Sequence, residues 1–227
     1  MTEPTSAGRA ADKQRSEKLV HQLVQQITQE PGKFEPYYEL ATVLVDLNSY
    51  AQAEELLMKA LGLFAAQPDA VERLHYGLGN VYYAAQDYPK AIAQFDQLGD
   101  QLKGAGYLMI AQSHMANGDH KRALAFALTA LTSQPQDVAT LQVVAENLLA
   151  LGNMAQAAQY YDQVLALDAQ NGRATFDRGL VAMVQGDPYA QYFDRAKHLD
   201  PTYYAQGQKK LVDIEKFIQA QHNQKKE

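Results

Sequence analysis

The sequence predicts an all-α solenoid, a stack of antiparallel helical hairpins, and three observations carry that prediction. Four segments of similar pattern follow one another: Tyr37–Ala60, His75–Leu98, Tyr107–Ala130 and Leu141–Val164. Each holds apolar residues at a helical step, a short polar turn, and a second helical pattern that opens on a small residue. The anchoring residues Ala53, Ala91, Ala123 and Ala157 are offset by 38, 32 and 34 positions, a beat too regular for a generic helical bundle.

Taken in order, the chain opens on residues 1–15, MTEPTSAGRAADKQR, a polar stretch expected to be a disordered tail. One folded domain is expected over 16–227. Ser16–Glu30 is amphipathic, with Leu19, Leu23 and Ile27 on one face and a Pro31–Gly32 stop, and reads as a leading helix over the first repeat. The repeats are placed at 34–68, 72–102, 104–136, 138–169 and 172–201, the last degenerate with a shortened second helix. Gly118–Asp119, Gly152–Asn153 and Gly186–Asp187 sit in turns, where glycine tolerates positive φ and Asp or Asn can cap the next helix. Pro135 and Pro201 fall where one repeat ends and the next begins. Residues 202–223 carry Leu211, Ile214, Phe217 and Ile218 on one face, the half-polar helix that a solenoid needs to seal its end.

Small residues recur for a physical reason: two packed helices approach closely only where a side chain is short. In the second repeat, HYGLGNVYYAAQDYPKAIAQFDQL, the pattern is His75, Leu78, Gly79, Tyr82, Ala91 and Phe95. The first repeat supplies Tyr37, Leu40, Ala41, Leu44, Ala53 and Leu57, and the third Tyr107, Ile110, Ala111, His114, Ala123 and Ala127. The fourth supplies Leu141, Val144, Ala145, Leu148, Ala157 and Tyr161, and the fifth keeps Gly179. This pattern resembles the tetratricopeptide-repeat (TPR) family, W-x2-L-G-x2-Y followed by Ala, an aromatic and Pro, with His75 in the place of the tryptophan. The resemblance covers about residues 34–201. It implies a right-handed α-solenoid of about five TPR hairpins with N- and C-terminal helices, similar to small stand-alone bacterial TPR proteins. It also implies a protein or peptide partner and no catalytic activity.

In that family the first helix of each repeat lines the binding groove. The matching residues are Tyr38, Thr42 and Val45, then Tyr76, Asn80 and Tyr83, then Leu108, Gln112 and Met115. The fourth repeat contributes Gln142, Glu146 and Leu149, and the fifth Phe176, Leu180 and Met183. Tyrosine offers contact area with a polar tip and methionine adapts to partner shape, which suits an extended or helical peptide with apolar anchors. The same spacing also suits a buried core. Chaperone-binding TPR domains clamp a C-terminal carboxylate, but the matching places hold Tyr38, Thr42, Leu108 and Gln112, with only Asn80 agreeing. The several cations that a carboxylate clamp needs are missing there.

Composition narrows the function further. A net charge of −6 and a pI near 5.5 argue against a nucleic-acid partner. There is no cysteine, and His21, His75, His114, His120, His198 and His222 show no metal-ligand spacing. The glycine pairs Gly77/Gly79 and Gly104/Gly106 follow no strand pattern, so no nucleotide site is expected. No cofactor, metal or catalytic residue is assigned, and no window is apolar enough for a membrane span. The expectation is a cytoplasmic interaction module. Two alternatives remain open: a scaffold that self-assembles, for instance as a homodimer through the Phe217/Ile218 face, and a non-catalytic regulatory subunit of an enzyme complex.

Overall fold

The computed structural model describes residues 6–209 and 211–212, and those residues contain helices, turns and no strand. The chain falls into two compact units, Met1–Gly118 and Asp119–Glu227. The boundary is the Gly118–Asp119 turn inside the third repeat. Hairpins that pack only on their sequence neighbours share no central core, so a stack of them divides readily.

The first unit holds α1 (Ser6–Gln29), the hairpin α2 (Glu35–Asp46) with α3 (Tyr50–Leu63), the hairpin α4 (Pro68–Ala84) with α5 (Tyr88–Phe95), and α6 (Lys103–Ala116). The second holds α7 (His120–Ser133), the hairpin α8 (Val138–Ala150) with α9 (Met154–Leu167), and the hairpin α10 (Gly172–Gln185) with α11 (Ala190–Leu199). A last helical run, α12, covers 201–209 and resumes at 211–212. The uneven repeat spacing now has a cause. Helix α4 has 17 residues and starts at Pro68, earlier than the expected 72, which lengthens the first interval; α5 has only 8, which shortens the next. The lost turn of α5 is replaced by a loop whose Leu102 N–H donates to Glu72 Oε1 of α4 at 2.8 Å.

The turns that follow α2, α4, α6, α8 and α10 are more uniform than their sequences. Asn48, Gln86, Gly118, Gly152 and Gly186 all lie in the left-handed region, with φ between 57° and 79°. At four of them two backbone bonds close the helix end in the same way. Asn48 N–H reaches Val45 O while Ser49 N–H reaches Leu44 O, and the pairs repeat at Gln86/Asp87, Gly152/Asn153 and Gly186/Asp187. Asp87 and Asp119 then cap the following helices through Lys90 N–H and Arg122 N–H. The side chain of Asn153 makes no cap, and the residue before α11 is Tyr189 rather than Asp187.

The expected crossings are present. Ala41, Ala53, Ala91, Ala111, Ala123, Ala145 and Ala157 are all buried. A Cβ on Gly79 would lie 2.4 Å from the Phe95 ring, and one on Gly179 would lie 2.9 Å from Phe193 and Tyr192. Here glycine is required for space, not for φ.

The chain ends depart from expectation in part. Helix α1 begins at Ser6, ten residues before the expected Ser16, so residues assigned to a disordered tail are helical. The stretch from Ser6 to Arg15 is rich in Ala, Lys, Gln and Arg, all strong helix formers. Leu23 is buried against the first repeat and Ile27 half-buried, whereas Leu19, expected on the same face, is 42% exposed. At the other end, α12 starts on Pro201, with Asp200 accepting from Tyr203 N–H at 2.9 Å. Ile214, Phe217 and Ile218, the rest of the expected capping face, lie outside the described residues.

Candidate functional site

The first-helix stripe of the first unit is half-exposed along its length. Tyr38 on α2, Tyr76, Asn80 and Tyr83 on α4, and Leu108, Gln112 and Met115 on α6 are all partly accessible, while Leu40, Leu74, Leu78 and Ile110 of the same helices are buried. Packing against a second helix buries one side of each first helix and leaves this side open. Thr42 is exposed, but its hydroxyl donates to the Tyr38 carbonyl at 3.1 Å.

The aromatic residues of the stripe are braced from behind. The Tyr76 ring sits 5.7 Å from Phe95, and Tyr83 sits 5.7 Å from Tyr88 in an edge contact. Gly77 leaves room for the Tyr38 ring, which a Cβ there would approach to 2.9 Å. The Asn80 amide works against the burial that raises the phenols of Tyr38 and Tyr76. Burial raises the pKa of Tyr38, and the neighbouring Tyr76 adds to the rise, against the pull of Arg73 and Asn80. Burial likewise raises Tyr76. Both phenols therefore stay neutral near pH 7 and keep an O–H to donate.

The stripe of the second unit differs. Gln142 and Glu146 on α8 are half-buried and bonded to each other, Gln142 Nε2 to Glu146 Oε1 at 2.9 Å. Asn171 Nδ2 donates to Gln142 Oε1, and the Arg173 guanidinium grips Glu146 through both oxygens at 2.9 Å. Leu149 is half-buried.

Phe176, Leu180 and Met183 do not line a groove: they are buried, at 1%, 4% and 4% exposure. They form one cluster with Phe193 and Ala196, against which Tyr203, Tyr204 and Leu211 of α12 pack. Gly207 permits that approach, since a Cβ there would stand 2.3 Å from the Phe176 ring. The chain's own helix occupies the fifth repeat's stripe. The Tyr203 hydroxyl also donates to the buried Asp177 carboxylate at 3.0 Å, and burial together with Asp177 raises the Tyr203 pKa.

Arg73 is a residue the sequence reading passed over. It is exposed on α4, one turn before Tyr76, with its guanidinium 6.0 Å from the Phe34 ring and close enough to Tyr38 to lower its pKa. Two histidines are tied to side-chain amides: His75 Nδ1 meets Gln94 Oε1 at 2.8 Å and His120 Nδ1 meets the buried Asn147 Oδ1 at 2.9 Å. Among the described residues no cluster of His, Asp or Glu could hold a metal ion, and no helix is long and apolar enough to cross a membrane.

Tetratricopeptide-repeat profiles match residues 21–98, 76–138 and 145–204. No curated protein sequence matches the chain. Among solved structures, pilF of Pseudomonas aeruginosa aligns at 20% identity over 88% of this chain and 92% of its own, with a TM-score of 0.70. BtubC from P. vanneervenii aligns at 16% identity over 82% and 88%, with a TM-score of 0.69. YrrB, described as a TPR protein with an unusual peptide-binding site, aligns at 20% identity over 83% and 97%, with a TM-score of 0.59. At such identities these neighbours speak to the fold. The profile matches cover more than half of the residues, and the chain belongs to the tetratricopeptide-repeat family.

Proposed function

We propose that the protein captures a peptide or helix of a partner protein on the first-helix stripe of its first unit, along Tyr38, Tyr76, Asn80, Tyr83, Leu108, Gln112 and Met115. TPR proteins are in general non-catalytic interaction modules that bind protein or peptide partners, and the structural neighbour YrrB is described by its peptide-binding site. The observation that carries the reading is the contrast between the two stripes. In the first unit, large apolar and aromatic side chains are half-exposed and held from behind. In the second, the equivalent places are satisfied internally, by the Glu146–Arg173 pair and by α12. Tyrosine rings held from behind contribute contact area at low entropic cost, the property that makes them binding anchors.

A random peptide library selected on the purified protein tests this. The double variant Tyr76→Ala with Tyr83→Ala should lose the selected peptides while keeping its far-UV circular dichroism. Its melting temperature should fall by several degrees, since Tyr76 braces Phe95. Peptides that bind the double variant as well as they bind the wild type would place capture elsewhere.

A further inference from the structure

Two arginines occupy the same place in two repeats, and only one has an anion. Arg73 and Arg173 each stand six residues before the crossing glycine of their helix, Gly79 and Gly179. Across from Arg173, one residue past the crossing Ala145 of α8, is Glu146, held by both guanidinium contacts and by the Gln142 amide. The equivalent residue, one past Ala41 of α2, is Thr42, whose hydroxyl is turned to its own backbone. The equivalent of Gln142 is Tyr38, again a hydrogen-bond donor. The first unit thus repeats the donors of the second without its carboxylate, and Arg73 forms no ion pair among the described residues.

We infer that Arg73, with the hydroxyls of Tyr38 and Tyr76, receives an acidic side chain of the bound peptide in the place where the second unit holds its own Glu146. This deepens the peptide-capture reading and rests on it. A guanidinium pairs with a carboxylate through two parallel N–H···O bonds, and Arg73 is exposed, so it is available to an incoming group without first breaking a pair. Burial raises both phenols, so Tyr38 and Tyr76 keep their O–H protons for an acceptor. The single guanidinium and the two phenols suit a side-chain carboxylate flanked by apolar residues, for which Leu108 and Met115 of α6 continue the stripe.

The test is a random heptapeptide library fused at its C-terminus to the display carrier and selected on the wild type. The expected result is enrichment of Asp or Glu at one position. Arg73→Gln should bind the selected peptides about tenfold or more weakly, the scale of one charge-assisted contact. Thr42→Glu should do the same, because it supplies an internal carboxylate like that of the second unit. Changing the enriched acid to its amide should cost the wild type a similar factor and Arg73→Gln little.

An acidic preference that persists in Arg73→Gln would overturn the inference. So would selected peptides that lack an acid yet still depend on Tyr76 and Tyr83; that outcome leaves the capture reading standing. Failure to select any peptide, or selection indifferent to those tyrosines, removes both. Synthetic free-acid and amidated forms should bind alike, and binding confined to the free acid would overturn the assignment to a side chain.

Discussion

Replacing Gly79 by alanine sets two effects of opposite sign against each other. Alanine in a helix interior is favoured over glycine by about 1 kcal/mol. Against it, the new methyl would stand 2.4 Å from one carbon of the Phe95 ring and 2.7 Å from two more. Phe95 is 2% exposed and its ring meets Tyr76, so it has nowhere to turn. Overpacking of this kind costs about 1–3 kcal/mol, and an overlap with a confined ring belongs at the upper end. The net is a loss of about 2 kcal/mol, which for a chain of this size lowers Tm by about 4–8 °C. Gly62→Ala is the paired control: it lies in α3 with nothing within 4 Å of its Cβ, so only the helical gain applies and Tm should rise. Thermal melts followed by circular dichroism read both. Adding Phe95→Leu to Gly79→Ala should recover part of the loss, a coupling expected only of residues in contact. If Gly79→Ala raised Tm as Gly62→Ala does, the close-crossing account of the repeat would be refuted.

Other outcomes follow from the same geometry. Gln86 holds φ of 62° in an exposed turn, so Gln86→Gly should stabilise by about 0.5–1 kcal/mol in a urea titration. The Tyr82 phenol, pushed up to about 12 by burial and by its 2.7 Å bond to Glu54, holds its proton more tightly folded than unfolded. The stability it contributes is present below pH 10 and lost as pH rises from about 10 towards about 12, and Tyr82→Phe should flatten that part of the stability–pH curve. Deleting residues 202–227 should uncover Phe176, Leu180 and Met183, cost a few kcal/mol and raise binding of a hydrophobic dye; an unchanged melt would show that α12 contributes little.

The repeat was legible in the sequence because its signals are steric. Ala41, Gly79, Ala111 and Ala145 must be small, and that requirement writes itself into residue identity. The turns at Gly118, Gly152 and Gly186 could be read for a similar reason, while the same backbone at Asn48 and Gln86 carries no glycine to announce it. The stripe was less legible. Phe176 and Met183 have the same helical spacing as Tyr76 and Tyr83, and only the packing of α12 separates core from surface. Periodicity along one helix does not report what lies against it. Arg73 could have been found by aligning the repeats on their crossing glycines, since Arg173 then falls in register with it. That Arg173 has a carboxylate and Arg73 does not is a fact of neighbouring helices, which a single helix's sequence does not carry.

The five left-handed turn residues bear on how the chain is made as well as how it stands. Those at Asn48, Gln86, Gly152 and Gly186 each close a hairpin from helices adjacent in sequence, and within each unit the main helix contacts reach at most the next but one. Contacts this local require little loop closure before they form. As the polypeptide leaves the ribosome, α2 and α3 can pair before α4 has followed them out, and each later hairpin can form in turn. Asn48 and Gln86, the two turns without glycine, are both in the portion that emerges first. Pauses would therefore be best tolerated once residue 64 or residue 95 has cleared the ribosome, when a finished hairpin is outside.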